Sequence, residues 1–272
     1  MRGFFMQKSN QNINSCSPIG VFDSGVGGTS IWKEIVALLP NESTIYLADS
    51  KNAPYGIRSK QEIINLCEKN TELLLKKGCK LVVVACNTAT TNAIDHLRNK
   101  YSVPFIGIEP AIKPASIRST SKVVGILATK GTLGSALFQE TASLYKDGVQ
   151  LLEQDGTGIV ELIENGKLDS SEMMNLLKGY VSPMIEKGID YLVLGCSHYP
   201  YLIPNLKKFV PERVTIIDSG FSVAKQTRLI LEQNRLLNTD KVPRRYIFYT
   251  NQSATVLNIL IENKYKIEEV DF

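Results

Sequence analysis

The stretch Leu81-Val-Val-Val-Ala-Cys86-Asn87-Thr88-Ala-Thr90 decides the fold predicted for this chain. A short valine-rich run bounded by small polar residues is typical of a strand that is buried inside a parallel sheet. Asn87 or Thr88 can cap a helix that follows the strand. Cys86 is therefore predicted at the carboxyl end of a strand, at the edge of an open α/β sheet where ligands bind.

The stretch Tyr191-Leu-Val-Leu-Gly-Cys196-Ser197-His198-Tyr199-Pro200 repeats this plan with a second cysteine. Two strand-end cysteines in separate units predict one pocket with a thiol on each side. The positive end of the helix after each strand is expected to lower the pKa of the thiol toward that of a usable thiolate. His198, which is close to Cys196 in sequence, and Asp23, which ends the first predicted strand, are expected to tune the two thiols.

The composition is that of an ordinary globular protein, with 43% hydrophobic and 21% charged residues in a chain of 272. The net charge of +4 is mild and is not concentrated in a basic run, so we expect no nucleic-acid partner. Residues 1–17 contain only the apolar cluster Phe4-Phe5-Met6, which is too short for a signal-peptide core or a membrane span. We therefore expect a cytoplasmic protein with a loose N-terminal tail over residues 1–17 and no membrane association.

The 5 cysteines argue against two further kinds of protein. They are odd in number, include no Cys-x-x-Cys pair and are accompanied by only 2 histidines. We therefore expect neither a disulfide framework nor a metal site. Cys67 falls on the apolar side of a helix opened by the capping box Ser59-x-x-Glu62, and it is interpreted as a core residue.

Strands and helices alternate along the chain, which predicts an α/β fold. One strand ends at Asp23-Ser24-Gly25 and another at Asp218-Ser219-Gly220, so each half has a strand that ends in Asp-Ser-Gly and a strand that ends in cysteine. This similarity indicates two similar α/β lobes. The two prolines of segment 109–114 favour a crossover between the lobes. A helix is expected over 132–145, followed directly by helices over 159–165 and 171–187.

Two glycine-containing loops resemble nucleotide sites only superficially. The turn Asp23-Ser24-Gly25-Val26-Gly27-Gly28 lacks the Gly-x-Gly-x-x-Gly spacing, although its amides could receive an anion such as a carboxylate. Lys130 precedes Gly131, whereas a phosphate loop carries its lysine after the glycine. We expect neither dinucleotide binding nor nucleotide hydrolysis, and we interpret Lys130 as a surface lysine rather than a ligand of pyridoxal phosphate.

Two thiols that face each other across a pocket suit three classes of reaction. Acyl transfer normally uses one cysteine with a base and an oxyanion hole, which would leave the second thiol idle. Thiol redox chemistry requires sulfurs within bonding reach, usually close in sequence. Removal of a proton from one face of a carbon, with its return on the other face, uses both thiols.

Four motifs together resemble those of the bacterial glutamate racemases, in order and at fitting separations. They are Asp23-Ser24-Gly25-x-Gly27-Gly28, Pro54-Tyr55-Gly56, Cys86-Asn87-Thr88-Ala89-Thr90 and Gly195-Cys196-Ser197-His198-Tyr199-Pro200. The similarity runs from residue 19 to about residue 233. It implies two similar α/β lobes with mainly parallel sheets and an active site in the cleft between them. Lobe one would comprise residues 18–108 plus 219–272, and lobe two residues 109–218.

The resemblance also implies cofactor-independent interconversion of L- and D-glutamate, which supplies D-glutamate for peptidoglycan. By position, Cys86 would be the base that acts on D-glutamate and Cys196 the base that acts on L-glutamate. Asp23 and His198 would assist their respective cysteines. The expected partner is the small-molecule substrate, and family members commonly dimerise, so we expect a homodimer.

The resemblance assigns further residues to the substrate. The positions expected to bind glutamate are Asp23, Ser24, Pro54, Tyr55, Gly56, Asn87, Thr88, Ser197 and His198. Asp49, Thr129 and Glu164 match supporting polar positions near the site. Ser197 departs from the threonine usual in the family but keeps a hydroxyl. Two alternatives remain open, namely an aspartate racemase with a tighter pocket and a non-enzymatic amino-acid-binding protein.

Overall fold

The computed structural model describes residues 13–145, 148–240 and 243–272, so residues 1–12 of the predicted tail lie outside the described part. The strands in these ranges are β1 (Ile19–Asp23), β2 (Thr44–Ala48), β3 (Leu81–Val84), β4 (Phe105–Gly107), β5 (Val123–Ala128), β6 (Gln150–Asp155), β7 (Tyr191–Gly195), β8 (Thr215–Ile217), β9 (Tyr246–Thr250) and β10 (Ile267–Glu269). The helices are α1 (Thr29–Leu38), α2 (Lys60–Lys76), α3 (Asn87–Lys100), α4 (Ile112–Arg118), α5 (Lys130–Leu133), α6 (Ala136–Leu144), α7 (Ile159–Glu164), α8 (Ser171–Glu186), α9 (Ile203–Leu206), α10 (Gly220–Gln233) and α11 (Thr255–Leu260).

The first sheet of the described chain has six strands in the order β10-β9-β2-β1-β3-β4, and neighbouring strands are parallel. Apolar side chains of α1 and α10 pack on one face, and those of α2 and α3 on the other. Covering both faces requires the uninterrupted apolar strands that the sequence shows at β1 and β3. Because β1 pairs with both β2 and β3, Asp23, Asp49 and Cys86 all emerge at the same carboxyl edge.

The second sheet of the described chain has four parallel strands in the order β6-β5-β7-β8. Ala128 of β5 is in register with Gly195 of β7, so Thr129 and Cys196 leave the sheet side by side. Two parallel sheets with helices between their strands confirm the predicted α/β class.

Two local expectations were wrong, and a third was incomplete. Strand β6 was missed because its sequence, Gln-Leu-Leu-Glu-Gln-Asp, is half polar and belongs to a partly exposed edge strand. The segment expected to cross between the lobes does lie between β4 of the first sheet and β5 of the second, but its last residues begin helix α4. Pro114 is tolerated there because the backbone N–H groups of a first helical turn have no partner within the helix. The helix expected over 132–145 is divided into α5 and α6, since Ser135 caps a new helix by accepting a hydrogen bond from Phe138 N at 3.3 Å.

The described part of the tail is tied to the first sheet. Lys80 Nζ donates to Ser15 O at 2.5 Å, and it forms a buried ion pair with Glu42 Oε2 at 2.6 Å. The expectation of a loose tail is therefore wrong at Ser15. None of the helices in the described ranges is long and apolar enough to cross a membrane.

Candidate active site

The two cysteines singled out from the sequence follow β3 and β7, one in each sheet. Both are buried, with 5% of Cys86 and 7% of Cys196 exposed. Cys86 is itself the N-cap of α3, and its Sγ accepts a hydrogen bond from Ala89 N at 3.4 Å. The cap was predicted at Asn87 or Thr88, one or two positions too late. The thiol therefore sits directly on the first turn of the helix.

The pKa of the Cys86 thiol is raised from its ordinary value, contrary to the expectation of a helix-lowered pKa. Burial is the main cause, and the nearby Asp23 carboxylate adds to it. The Ala89 amide and the Ser24 hydroxyl, whose Oγ lies 3.6 Å from Sγ, act in the opposite direction but are outweighed. Cys86 is consequently held as a neutral thiol, which is a proton donor.

Cys196 has a histidine as its neighbour. Its Sγ lies 3.8 Å from His198 Nδ1, and the opposite ring nitrogen, Nε2, lies 2.5 Å from Glu164 Oε1. Burial lowers the pKa of His198, but the hydrogen bonds with Cys196 and Glu164 outweigh this effect and raise the pKa well above its ordinary value. His198 is therefore a buried imidazolium that can donate a proton toward the Cys196 sulfur.

Asp23 joins the two sheets through its two carboxylate oxygens. Oδ2 accepts hydrogen bonds from Gly25 N at 3.2 Å and Gly28 N at 2.9 Å, both in the turn after β1. Oδ1 accepts from the Ser197 hydroxyl, which follows Cys196, at 3.0 Å. Burial raises the pKa of Asp23, and the positive charge of His198 opposes this rise. The carboxylate thus lies beside both thiol neighbourhoods.

The glycines of the turn after β1 allow side chains of the second-sheet unit to lie against the backbone of that turn. A Cβ atom at Gly25 would lie 1.9 Å from Glu164 Oε1, and one at Gly27 would lie 2.2 Å from His198 Nδ1. The amide of Val26 donates to Glu164 Oε1 at 2.7 Å. The predicted ability of these amides to receive a carboxylate is therefore used by the protein's own Asp23 and Glu164.

Asn87 and Thr88 enter the site from the first turn of α3. Only 2% of Asn87 is exposed, and neither its Nδ2 nor its Oδ1 has a hydrogen-bond partner within the described protein. Thr88 Oγ1 lies 2.8 Å from Thr129 Oγ1 and 3.2 Å from Thr132 Oγ1, both in the second-sheet unit. A buried amide without partners is unusual, and it indicates a place for a polar ligand.

The Pro54-Tyr55-Gly56 loop lies beside Thr129. The Tyr55 hydroxyl donates to Asp49 Oδ2 and accepts from Asn70 Nδ2, the latter at 3.1 Å. A Cβ atom at Gly56 would lie 3.1 Å from Thr129 Cβ. Asn70 and Thr132 were not predicted, although Thr132 follows Thr129 at the spacing of a helix cap and Asn70 is a polar residue on the buried side of α2.

A cavity of about 280 Å³ adjoins this cluster. Glu164 belongs to the wall of the cavity and its Oε1 contacts His198 Nε2, so the cavity borders the residues around Cys196. Its wall consists of Val26, Ser50, Ala53, Pro54, Val160, Glu161, Glu164, Asn165, Gln252, Ser253, Thr255 and Val256. Among the described residues, no group of three or more His, Cys, Asp and Glu side chains is arranged to hold a metal ion.

The structure therefore brings together most of the residues predicted from the sequence. Asp23, Ser24, Cys86, Cys196, Ser197, His198 and Glu164 form one connected cluster. Thr88 with Thr129, and Tyr55 with Asp49, form two pairs along its border. The arrangement places one thiol from each sheet, a carboxylate, an imidazolium and an unpartnered amide around a single centre.

Comparison with known proteins agrees with this arrangement. A family model described as Asp/Glu/Hydantoin racemase matches residues 19–227. A glutamate racemase of Ectopseudomonas mendocina (strain ymp) is 48% identical over 226 residues, which cover 83% of this chain and 86% of that protein.

Solved structures give the same result. A glutamate racemase isoform from Bacillus anthracis superimposes with a TM-score of 0.85 at 30% identity, covering 95% of this chain and 98% of that chain. The glutamate racemase of Francisella tularensis subsp. tularensis SCHU S4, solved in complex with D-glutamate, superimposes with a TM-score of 0.81 at 28% identity, covering 94% of this chain and 98% of that chain. The chain belongs to the Asp/Glu/Hydantoin racemase family.

Proposed function

We propose that this protein interconverts L- and D-glutamate without a cofactor, using Cys86 and Cys196 as two bases on opposite faces of the substrate. It is a racemase, an isomerase acting on glutamate, as its family and its relatives over most of the chain indicate. The observation that carries the two-base mechanism is the pair of buried cysteines, one at the carboxyl edge of each sheet. Asp23 lies near Cys86 and accepts a hydrogen bond from Ser197, the residue after Cys196.

The two cysteines have unlike surroundings, and these suit one direction of proton transfer. Cys86 is held as a thiol and can deliver a proton to the α-carbon, whereas Cys196 lies against a cationic His198 that stabilises negative charge on sulfur. With Cys196 as thiolate and Cys86 as thiol, the site is ready for L-glutamate. Removal of the α-proton by Cys196 and delivery by Cys86 give D-glutamate and leave the two thiols in the opposite protonation states.

D-glutamate reacts by the reverse path. Cys86 must then begin as the thiolate, which the Ala89 amide and Ser24 hydroxyl can stabilise. The α-ammonium group of glutamate, placed near Asp23, adds a positive charge close to this sulfur and favours ionisation. Binding of the substrate thus compensates for the burial that raises the pKa of Cys86.

Polar groups around the two thiols match those of glutamate. Asn87, whose amide has no protein partner, supplies a donor and an acceptor, while Ser24, Thr88 and Ser197 supply hydroxyls. Gly56, which follows Tyr55, lies beside Thr129, and Thr129 in turn contacts Thr88. We assign these residues, with Pro54 and His198, to the carboxylates and amine of the substrate, and we assign Asp49, Thr129 and Glu164 to supporting roles.

The division into lobes, the location and the assembly belong to the same proposal. Lobe one over 18–108 plus 219–272 contains all strands of the first sheet, and lobe two over 109–218 contains all strands of the second, within the described chain. We propose a cytoplasmic homodimer that provides D-glutamate for peptidoglycan synthesis, which is the role that the family resemblance implies.

A racemisation assay tests this function. Purified protein without added cofactor is incubated separately with L-glutamate, D-glutamate and L-aspartate, and the optical rotation is followed to equilibrium. Both glutamate enantiomers should reach the same racemic mixture, and L-aspartate should react far more slowly. Inactivity toward glutamate, faster turnover of aspartate or activity that depends on added pyridoxal phosphate would contradict the proposal.

A further inference from the structure

Asn251 lies immediately after β9, beyond residues 19–227 that the family model matches. Strand β9 pairs in parallel with β2, and Thr250 is in register with Ala48, so Asn251 arrives beside Asp49. Its Oδ1 accepts a hydrogen bond from Lys51 N at 2.9 Å, and its Nδ2 donates to Asp49 Oδ1 at 2.5 Å. Because an amide oxygen only accepts and an amide nitrogen only donates, the Lys51 bond orients the donor toward Asp49.

Asp49 is in turn the anchor of the loop that carries Tyr55. The carboxylate is buried, with 1% exposed. Its Oδ1 also accepts from Asn52 Nδ2 at 2.7 Å, and its Oδ2 accepts the Tyr55 hydroxyl. The carboxylate therefore orients the Tyr55 side chain, and Asn251 contacts both this carboxylate and the backbone at Lys51, at the start of the same loop.

We propose that Asn251 is a positioning residue for glutamate binding, which acts through Asp49 and the 50–56 loop on Tyr55 and Gly56. This inference rests on the proposed role of Tyr55 and Gly56 in holding the substrate. Asn251 contacts neither thiol and takes no part in proton transfer. It fixes the loop on which part of the substrate site is built, from a segment outside the matched family region.

The substitution Asn251→Asp separates the two contacts of this side chain. An aspartate keeps the shape and the acceptor for Lys51 N, but it replaces the donor with a second carboxylate facing Asp49. Losing a hydrogen bond to a charged group and adding a like charge should raise KM for both enantiomers by roughly tenfold or more. The change in kcat should be smaller than the change in KM, because the thiols remain in place.

The control is Asn234→Ala, which removes an asparagine of the same size whose Nδ2 bonds to Ile230 O at 2.8 Å at the end of α10. It should leave KM unchanged. Thermal denaturation of each variant checks folding. Two results for Asn251→Asp would overturn the inference. One is a fall in kcat and in melting temperature with unchanged KM, and the other is no change in either kinetic constant.

Tyr55→Phe and the double variant connect Asn251 to Tyr55. Tyr55→Phe alone should raise KM. Adding Asn251→Asp to the Tyr55→Phe variant should raise KM by a smaller factor than Asn251→Asp does in the unaltered protein, because both substitutions act on the position of Tyr55. Independent, multiplying effects would contradict a path through Tyr55. If Tyr55→Phe leaves KM unchanged, the binding role of Tyr55 and this inference fail together, while racemisation by the unaltered protein stands.

Discussion

The buried ring of His198 has Nε2 2.5 Å from Oε1 of the partly buried Glu164, while Nδ1 of the same ring faces Cys196 Sγ at 3.8 Å. Glu164 also accepts hydrogen bonds from Val26 N at 2.7 Å and Ser50 Oγ at 2.9 Å, both belonging to the first-sheet unit. One carboxylate therefore orients the histidine beside a thiol and holds the two units together. Replacing Glu164 would therefore alter both the surroundings of Cys196 and the contact between the two units.

Glu164→Gln should change the response of the protein to pH. The pKa of His198 is raised above its ordinary value of 6.5, so the stability gained from the pair is complete below pH 6.5 and is lost as pH rises through the raised pKa. In Glu164→Gln, stability should depend much less on pH over this range. The fall in L-glutamate turnover with rising pH should begin at a lower pH than in the unaltered protein. Stability curves and rate profiles against pH measure both effects.

The matched control for this change is Glu161→Gln, one turn earlier on α7. This variant should keep the pH profile of the unaltered protein. If Glu164→Gln and Glu161→Gln shift the profile equally, general surface charge rather than the pair with His198 sets the dependence.

His198→Asn should affect the two directions of proton removal unequally. His198 contacts Cys196 and not Cys86, so abstraction from L-glutamate should slow more than abstraction from D-glutamate. The overall equilibrium fixes the ratio of the two kcat/KM values, so the asymmetry must be sought in kcat and in primary isotope effects measured with α-deuterated L- and D-glutamate. Equal isotope effects and equal losses of kcat in both directions would argue against this assignment.

Gly27→Ala should impair catalysis through the position of His198. The added Cβ would lie 2.2 Å from His198 Nδ1, so the ring must move. A displacement of about 1 Å near reacting groups can reduce the rate by roughly 100-fold, and we expect a loss in kcat of that order. Gly179→Ala is the control, because a Cβ there meets nothing within 4 Å on α8, and it should be fully active and slightly more stable. Comparable activity of the two variants would refute the steric argument.

Asn87→Ala should weaken substrate binding without destabilising the fold. Neither polar atom of this buried side chain has a partner in the described protein, so its removal breaks no hydrogen bond to another described residue. If Asn87 bonds to a glutamate carboxylate, KM should rise by roughly tenfold or more. Asn205→Ala, which breaks buried bonds to Leu168 O and Asp169 Oδ1, should show the converse, with lower stability and normal KM. A destabilised Asn87→Ala variant with unchanged KM would remove Asn87 from the site.

The sequence was sufficient for the fold class and for the position of both thiols, because a buried parallel strand followed by a helix cap has a strong local pattern. Strand β6 was not predicted because an edge strand needs only one apolar face. The alternation of apolar and polar residues expected of a strand is obscured here by Gln150, Glu153 and Gln154. The pKa of Cys86 was predicted in the wrong direction because burial and the Asp23 charge come from tertiary structure. Asn251 was missed for a related reason, since only the pairing of β9 with β2 brings it to Asp49.

The serine variants of the two cysteines test whether both are bases. A hydroxyl is far less acidic than a thiol, so Cys86→Ser and Cys196→Ser should each lose at least roughly 100-fold in racemisation, the lower end of what a positioned acid or base contributes. Cys67→Ser is the control, because Cys67 is buried on α2 within the apolar core. This control should retain turnover and lose some stability. Near-normal turnover in either active-site variant, in a folded protein, would exclude the two-base mechanism.

Racemisation in D2O tests the central claim most directly. If Cys86 and Cys196 act on opposite faces, the thiol that delivers hydrogen has exchanged with solvent before the substrate arrives, whereas the other sulfur holds the hydrogen just removed. Mass spectrometry early in the reaction should therefore find product with deuterium at the α-carbon and recovered substrate almost free of it, starting from either enantiomer. Product that retains the original hydrogen would show that a single base serves both faces, and it would contradict the assignment of Cys86 and Cys196 as paired bases.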